Sequence, residues 1–419
     1  MTPVTMNDTL PTLANAEWLA APAVRQVFVV LKAAGEEARV AGGAVRNALM
    51  GFPVGEVDFA TTATPDKVIA AAVKAGVKAV PTGLDHGTVT LVIAGTGFEV
   101  TTLRQDIVTD GRRAIVRFGR DWEADARRRD FTVNALSVDQ AGVVYDPVGG
   151  FSDILVRRVR FIGEPDKRIA EDRLRILRFF RFHAEVGEGI IDVAGLAAAT
   201  RAHDGLRELS AERIGQEMRR IAVAPRAAEA VALMQDAGVL PVVLGGVGYL
   251  AQFATAVRFE AEVGATPAVA PRLTVLACRI QEDVLRVVTR LRLANIERDR
   301  MTSTLTAAAS VAVLRDAHAT RRLLYRLGAE RFRDGVVYAA AWNGAADFTP
   351  WLDLHRLPDR WTVPAFPLAG RDVLGHGTPR GPLVGELLRA VEGWWIDQDF
   401  APDETALRRR LQQMLASAQ

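Results

Sequence analysis

Between Pro22 and Ala34 apolar residues recur at helical spacing, with a proline suited to the first turn and Gly35 after the last. A short β-like run, Glu37 to Val40, leads into Ala41-Gly42-Gly43-Ala44-Val45-Arg46-Asn47, where the helical pattern resumes. The order is strand, glycine turn, helix. After Pro53 the alternation Val57-Asp58-Phe59-Ala60 predicts a second short strand, and Thr64-Pro65-Asp66 starts a helix. Thr88 to Ile93 and Phe98 to Leu103 are β-rich runs separated by Ala94-Gly95-Thr96-Gly97, which predicts a hairpin. The chain is therefore mixed α/β up to about Gly150. Beyond Asp166 the strand signals fade, and alanine, leucine and arginine at helical spacing dominate, broken at Pro225, Pro241, Gly245-Gly246, Pro271 and Pro350. That portion is expected to be mostly helical.

At 419 residues, 49% hydrophobic and 24% charged, the chain has material for two or more domains. Its single cysteine, Cys278, excludes an intramolecular disulfide framework and a cysteine-based zinc site, and it fits a reducing compartment. Residues Met1 to Ala20 carry Asp8, Glu17 and two prolines in place of the basic start and apolar core of a signal peptide. No apolar run reaches the roughly 20 residues that span a bilayer. A cytoplasmic protein without membrane insertion is the expectation. Net charge is only +2, and the basic residues are almost all arginine, which suits phosphate and base contacts but also follows from a GC-rich genome.

Adjacent glycines between a strand and a helix let backbone approach a triphosphate, where helix-terminal N–H groups favour negative charge. Gly42-Gly43 alone equally describes a tight structural turn. Ten positions after Arg46 comes Glu56-Val57-Asp58, two carboxylates whose side chains share one side of an extended segment. So placed, they can hold a pair of Mg²⁺ ions, although surface acid pairs are common. Glu99, on the predicted hairpin, is a candidate third oxygen ligand. Arg127-Arg128-Arg129-Asp130-Phe131-Thr132-Val133-Asn134-Ala135-Leu136 passes from basic residues into an apolar, helix-compatible run, with Asp130 and Asn134 at i,i+4 spacing and Arg129 free to meet phosphate.

In Glu171 to Arg181, Asp172, Arg175, Arg178 and Arg181 repeat every three residues, which on a helix gives a polar stripe opposite Leu174, Ile176, Leu177 and Phe180. A salt-bridged surface helix has the same pattern. Cytosine and adenine, however, each present an amino donor beside a ring-nitrogen acceptor, which an acceptor from Asp172 and a donor from Arg175 match. Guanine and uracil invert that arrangement. Each buried group left unpaired costs ~1–3 kcal/mol.

Together these motifs resemble the class II bacterial CCA-adding enzymes, tRNA nucleotidyltransferases of the polymerase-β superfamily. The resemblance also runs through Asp146-Pro147-Val148-Gly149-Gly150, Ser210-Ala211-Glu212-Arg213-Ile214, Leu291-Arg292-Leu293-Ala294-Asn295, Gly370-Arg371-Asp372-Val373-Leu374 and Gly381-Pro382-Leu383-Val384-Gly385. It implies an α+β, polymerase-β-like head with a small mixed sheet, followed by all-α neck, body and tail. We place these at 1–150, 151–222, 223–345 and 346–419. It further implies that Gly42, Gly43 and Arg46 meet the incoming nucleotide, that Glu56 and Asp58 bind Mg²⁺, and that Arg129, with Asp130 and Asn134, serves the triphosphate site. Asp172 and Arg175 would select the base, assisted by Arg178 and Arg181. CTP and ATP are the implied substrates and the tRNA 3′ acceptor end the implied partner, with no DNA. Two positions depart from the pattern: Glu56 and Asn47 stand where Asp is usual.

The alternatives are a bacterial poly(A) polymerase, an enzyme adding only CC or only A, and an RNA binder without catalysis. Pro81 to Val89 resembles the CCA-type segment, and an extended lysine-rich C-terminus is absent, both against poly(A) synthesis. Arg104-Gln105-Asp106 through Asp110-Gly111-Arg112-Arg113 looks like the flexible loop that accompanies switching from C to A. A pure binder gains nothing from Glu56-Val57-Asp58 beside RNA. His86 reads as a structural residue of a Gly-rich turn, Trp394-Trp395 as packing, and His203-Asp204 as an isolated pair without phosphohydrolase ligands.

Overall fold

The computed structural model describes residues 10–109, 114–314, 316–343, 347–375 and 381–417. Residues up to Gly246 form one compact unit and those from Val247 a second. The strands, all in the first unit, are β1 (Ala38–Ala41), β2 (Phe59–Thr61), β3 (Lys78–Gly83), β4 (Thr88–Ile93), β5 (Thr96–Thr102), β6 (Arg104–Thr109), β7 (Ala114–Phe118), β8 (Ser137–Val138) and β9 (Val144–Tyr145). Seven form one sheet in the order β3-β4-β5-β2-β1-β8-β9, and β6 pairs with β7 alone. Only β2 and β5 run parallel, so the main sheet is mixed, as the resemblance implies.

Alternation along β4 and β5 sends Val89, Leu91, Ile93, Phe98 and Val100 into the core. The helices Pro22–Ala33 and Pro65–Lys74 pack on these strands, and Phe59 sits between Phe28 and Phe98 with ring centroids 5.0 and 6.3 Å away. The β4–β5 connection is shorter than the four-residue link read from the sequence. Ala94 (φ 50°) and Gly95 (φ 82°) alone make the turn, the pair of positive φ values that a two-residue hairpin requires, and Thr96 and Gly97 already belong to β5.

Two helical readings are corrected. Arg127 to Leu136 is not one helix: the helix Trp122–Arg127 ends, Phe131 is extended and bridges Phe161, and only the 3₁₀ turn Thr132–Asn134 follows. Asp130 and Asn134 thus do not share a helix. Glu171 to Arg181 is likewise split, because helix Pro165–Glu171 stops at Asp172, which is extended (φ −152°, ψ 110°), before helix Leu174–Val186 begins. Leu174, Ile176, Leu177 and Phe180 are buried as expected. An aromatic cluster joins this helix to the sheet side: Phe131 lies 4.8 Å from Phe161 and 5.3 Å from Phe182, and Phe161 lies 5.3 Å from Phe179. The expected flexible loop coincides in part with the β6–β7 pair; Asp110 to Arg113 lie outside the described residues.

The described residues of the second unit contain helices and no strand. Trp395 is buried there among Leu387, Val391, Leu407 and Leu411, its indole N–H donating to the Pro402 carbonyl at 3.0 Å, which is the packing role read for it. Among the described residues no helix is long and apolar enough to cross a membrane.

Asp146 accepts from the backbone N–H groups of Gly150 and Phe151 at 2.8 Å each, fixing the start of helix Gly150–Leu155 against Thr132. A Cβ on Gly150 would stand 2.2 Å from the Thr132 carbonyl oxygen. Gly150→Ala is expected to destabilise the first unit by about 1–3 kcal/mol, seen as a lowered midpoint in thermal unfolding followed by circular dichroism.

Candidate active site

β1 ends at Ala41, and Gly42 turns the chain into the helix Gly43–Met50. Gly42 has φ 79° and ψ −126°, a conformation closed to side chains, and donates its N–H to the Leu136 carbonyl at 3.1 Å. A Cβ there would also lie 3.4 Å from an Arg129 nitrogen. Gly43 has no such backbone requirement. The glycine pair therefore brings the helix start and Arg129 to one place.

Glu56 and Asp58 precede β2 rather than lying within it; both are exposed, while Phe59 and Ala60 are buried. The Asp58 carbonyl accepts from Ala41 N–H at 3.0 Å, tying this segment to the end of β1. In the parallel pair Phe59 is level with Val100, so one step back Asp58 is level with Glu99 on β5. The Asp58 carboxyl is pushed up to about 6, first by partial loss of water within the site and then by the negative charges of Glu99 and Glu56, against a smaller pull from Arg129. The three acids read from the sequence therefore act on one another. Among the described residues no three His, Cys, Asp or Glu side chains are close enough together to hold a metal ion in this conformation.

Arg46 is 8% exposed. Its Nη1 donates to Asn134 Oδ1 at 2.6 Å, while Nε and Nη2 donate to Asn47 Oδ1 at 3.0 and 2.8 Å. Burial depresses its pKa to about 10. Asn134 is thus a holder of Arg46. Arg129 donates to the Asn134 carbonyl and to Asp125, both at 3.3 Å. Asp125, a buried residue that the sequence reading missed, also pairs with Arg128 at 2.6 Å; burial works to raise its carboxyl, but the Arg129 and Arg128 charges hold it below the usual range. Its only sequence signal is the i+3, i+4 spacing to those arginines.

Asp130 faces the helix Leu174–Val186, accepting from Arg175 Nε at 3.0 Å and from Arg178 Nε. Burial opposes its ionisation, and the two guanidinium charges overcome that, keeping its pKa low. Asp172 accepts from Leu174 N–H at 3.0 Å and from Arg213 at 2.6 Å. Arg175 also donates from Nη1 to the Arg168 carbonyl at 2.7 Å and to Glu171. Arg181 is only 1% exposed, bonded to Glu217 at 2.6 Å and Glu185 at 3.0 Å. So enclosed, it offers no surface to a nucleotide. Arg213 and Glu217, which secure Asp172 and Arg181, lie in the helix Ala211–Val223 that carries the Ser210-to-Ile214 motif.

Residues 38–160 match the family model described as the poly A polymerase head domain. The chain is 35% identical over 371 residues to the CCA-adding enzyme of Geobacillus stearothermophilus, covering 86% of this chain and 89% of the relative. It is 32% identical over 383 residues to the mitochondrial CCA tRNA nucleotidyltransferase 1 of Mus musculus, covering 88% and 85%. The crystal structure of the Bacillus stearothermophilus CCA-adding enzyme in complex with CTP matches with a TM-score of 0.74 at 29% identity, covering 95% of this chain and 99% of that one. The chain belongs to the CCA-adding enzyme family of tRNA nucleotidyltransferases.

A raised carboxyl pKa means that the folded chain binds a proton more tightly than the unfolded chain, whose aspartate titrates near ~3.9. Stability from Asp58 is therefore present at low pH and is lost as pH rises towards about 6, above which the penalty is complete. In buffer free of divalent cations, Asp58→Asn is expected to melt above the parent at pH 7.5, with the difference closing by about pH 4. A difference independent of pH would contradict the assignment.

Proposed function

We propose that this chain adds C, C and A in turn to the 3′ end of tRNA, taking CTP and ATP as substrates and using no nucleic-acid template. The observation that carries this reading is the 35% identity to a CCA-adding enzyme across 86% of the chain. The acids around Asp58, the helix start at Gly43 and the cations Arg46 and Arg129 support it. The division into head, neck, body and tail at the boundaries given above belongs to the same proposal.

Glu56 and Asp58, with Glu99 as a third oxygen donor, suit a hard divalent cation such as Mg²⁺, because a cation relieves the repulsion that raises the Asp58 carboxyl. Glu56 keeps the charge and both oxygens of an aspartate on one further methylene. When bound, such ions supply acidity at the RNA 3′ hydroxyl and neutralise charge on the triphosphate. The hydroxyl oxygen forms a bond to the α-phosphorus as the bond to pyrophosphate breaks. Gly42 and Gly43 let the backbone approach the triphosphate, and Arg46 and Arg129 counter its charge. Asn134, Asp125 and Asp130 act through the arginines they hold.

Base choice falls to Asp172 as acceptor and Arg175 as donor. Arg213 and the Leu174 N–H orient the Asp172 carboxylate, and Asp130 holds Arg175 through Nε while Nη1 is taken by the Arg168 carbonyl and Glu171, leaving Nη2 without a partner among the described residues. Arg178 assists beside it, and Arg181 supports the helix from within.

The purified protein with Mg²⁺ and labelled tRNA lacking CCA, resolved at single-nucleotide length, should add two residues with CTP and a third only when ATP is also present. A long adenosine ladder with ATP alone would identify a poly(A) polymerase, addition of only C or only A a partial enzyme, and binding without extension a silent binder. Asp58→Ala should abolish incorporation. Arg175→Ala should relax discrimination against UTP and GTP by about tenfold or more, corresponding to loss of ~1–3 kcal/mol of base-specific contact, measured as kcat/KM ratios.

A further inference from the structure

The helix Trp122–Arg127 ends on carbonyl groups that a helix cannot satisfy by itself, and the chain then runs through Arg128 and Arg129. Among the described residues no backbone N–H reaches the carbonyl oxygen of either arginine. Both oxygens are taken by one side-chain nitrogen, Nη2 of Arg168, at 2.6 and 2.8 Å. Arg168 lies 39 residues beyond Arg129, in the helix Pro165–Glu171, and its side chain is 12% exposed. A guanidinium that bridges two successive carbonyls holds the backbone at Arg129 in one place.

The remainder of Arg168 serves a different arginine. Its Nη1 donates to Glu171 Oε2 at 2.5 Å, and the same carboxylate oxygen accepts from Arg175 Nη1. The Arg168 backbone carbonyl accepts from that Arg175 nitrogen too, at 2.7 Å. Arg175 is therefore tied to Arg168 directly at the main chain and again through Glu171. Two guanidinium groups this close repel, and the Glu171 charge between them offsets the repulsion.

Arg129 and Arg175 stand for different parts of a nucleotide, the triphosphate and the base. The side-chain bonds of Arg129, to Asp125 and the Asn134 carbonyl, are long at 3.3 Å, so its aim depends on where its backbone sits. We infer that Arg168 is a positioning residue that sets the phosphate cation Arg129 and the base reader Arg175 relative to each other, by clamping the backbone of one and the guanidinium of the other. This rests on the nucleotidyl-transfer reading of the site. Arg168 acts through the two arginines and not on the nucleotide.

The two ends of the clamp can be released separately. Arg168→Met removes every nitrogen and frees both. Arg168→Lys keeps one charged nitrogen, which can bridge the two carbonyls as Nη2 does but cannot also stand at the Nη1 position beside Glu171. Glu171→Gln leaves the carbonyl clamp and discharges the other end.

Calorimetric titration of the full chain with CTP, UTP and inorganic tripolyphosphate reports Kd separately from the number of sites, so partial unfolding lowers the site count whereas a displaced arginine raises Kd. R168M should weaken tripolyphosphate by about tenfold and cut the preference for CTP over UTP by about tenfold, each equivalent to ~1.4 kcal/mol. R168K should recover most of the tripolyphosphate affinity and little of the preference, and E171Q should lose the preference alone. Should R168M fail to fold, R168Q, which lacks the charge and the reach, takes its place. A lowered site count with unchanged Kd, an effect of R168M on only one of the two readouts, or equal recovery of both in R168K would overturn the inference. A parent chain that binds CTP and UTP alike would instead overturn the base-choice reading, and one that binds CTP but never extends tRNA the proposed function.

Discussion

Like charges held level on neighbouring strands repel, and the site depends on a sheet stiff enough to hold them there. Asp58 and Glu99 share a level because β2 and β5 pair in parallel with Phe59 beside Val100. Those two residues face the core, so the acids one step earlier are turned the other way. The aromatic packing of Phe59 between Phe28 and Phe98 therefore does more than fill space. It fixes the register, and a slip of one residue would exchange the acids for the hydrophobic set.

A second constraint joins the sheet side to the helices that follow. Asp130 sits where an extended segment leaves the helix Trp122–Arg127, and its two oxygens take Arg175 and Arg178 from one face of the helix Leu174–Val186. Phe131, the next residue, enters the aromatic cluster with Phe161 and Phe182. Ionic and apolar contacts thus converge on adjacent positions, and Arg175, one of the pair proposed to select the base, is held in place by them.

What the sequence made legible was local. Proline and glycine punctuate the helices Pro22–Ala33 and Pro65–Lys74, and β4 and β5 announce themselves by alternation. The break at Asp172 left no such mark, because its neighbours keep helical spacing on both sides and the ion pair with Arg213 is made 41 residues away. The helical reading of Arg127 to Leu136 failed for a similar reason, since the Phe131–Phe161 bridge is a tertiary contact. The candidate residues around Gly42, Arg46 and Asp58 were visible because glycine turns and paired acids are rare in combination. The partners that hold other candidates, Asp125 for Arg129, Arg213 for Asp172 and Glu217 for Arg181, were not, as an acid or arginine looks like any other until its partner is known.

The tie to Asp130 takes the Nε of both Arg175 and Arg178. A guanidinium can spend that nitrogen inside the protein and still present its terminal nitrogens elsewhere, whereas an ammonium has one nitrogen for both tasks. Arginine along this helix is thus a requirement of valence and not only of codon usage. A chain drifting towards lysine under pressure on its genome would meet resistance at these two positions, even where charge on the outer surface is freely exchanged.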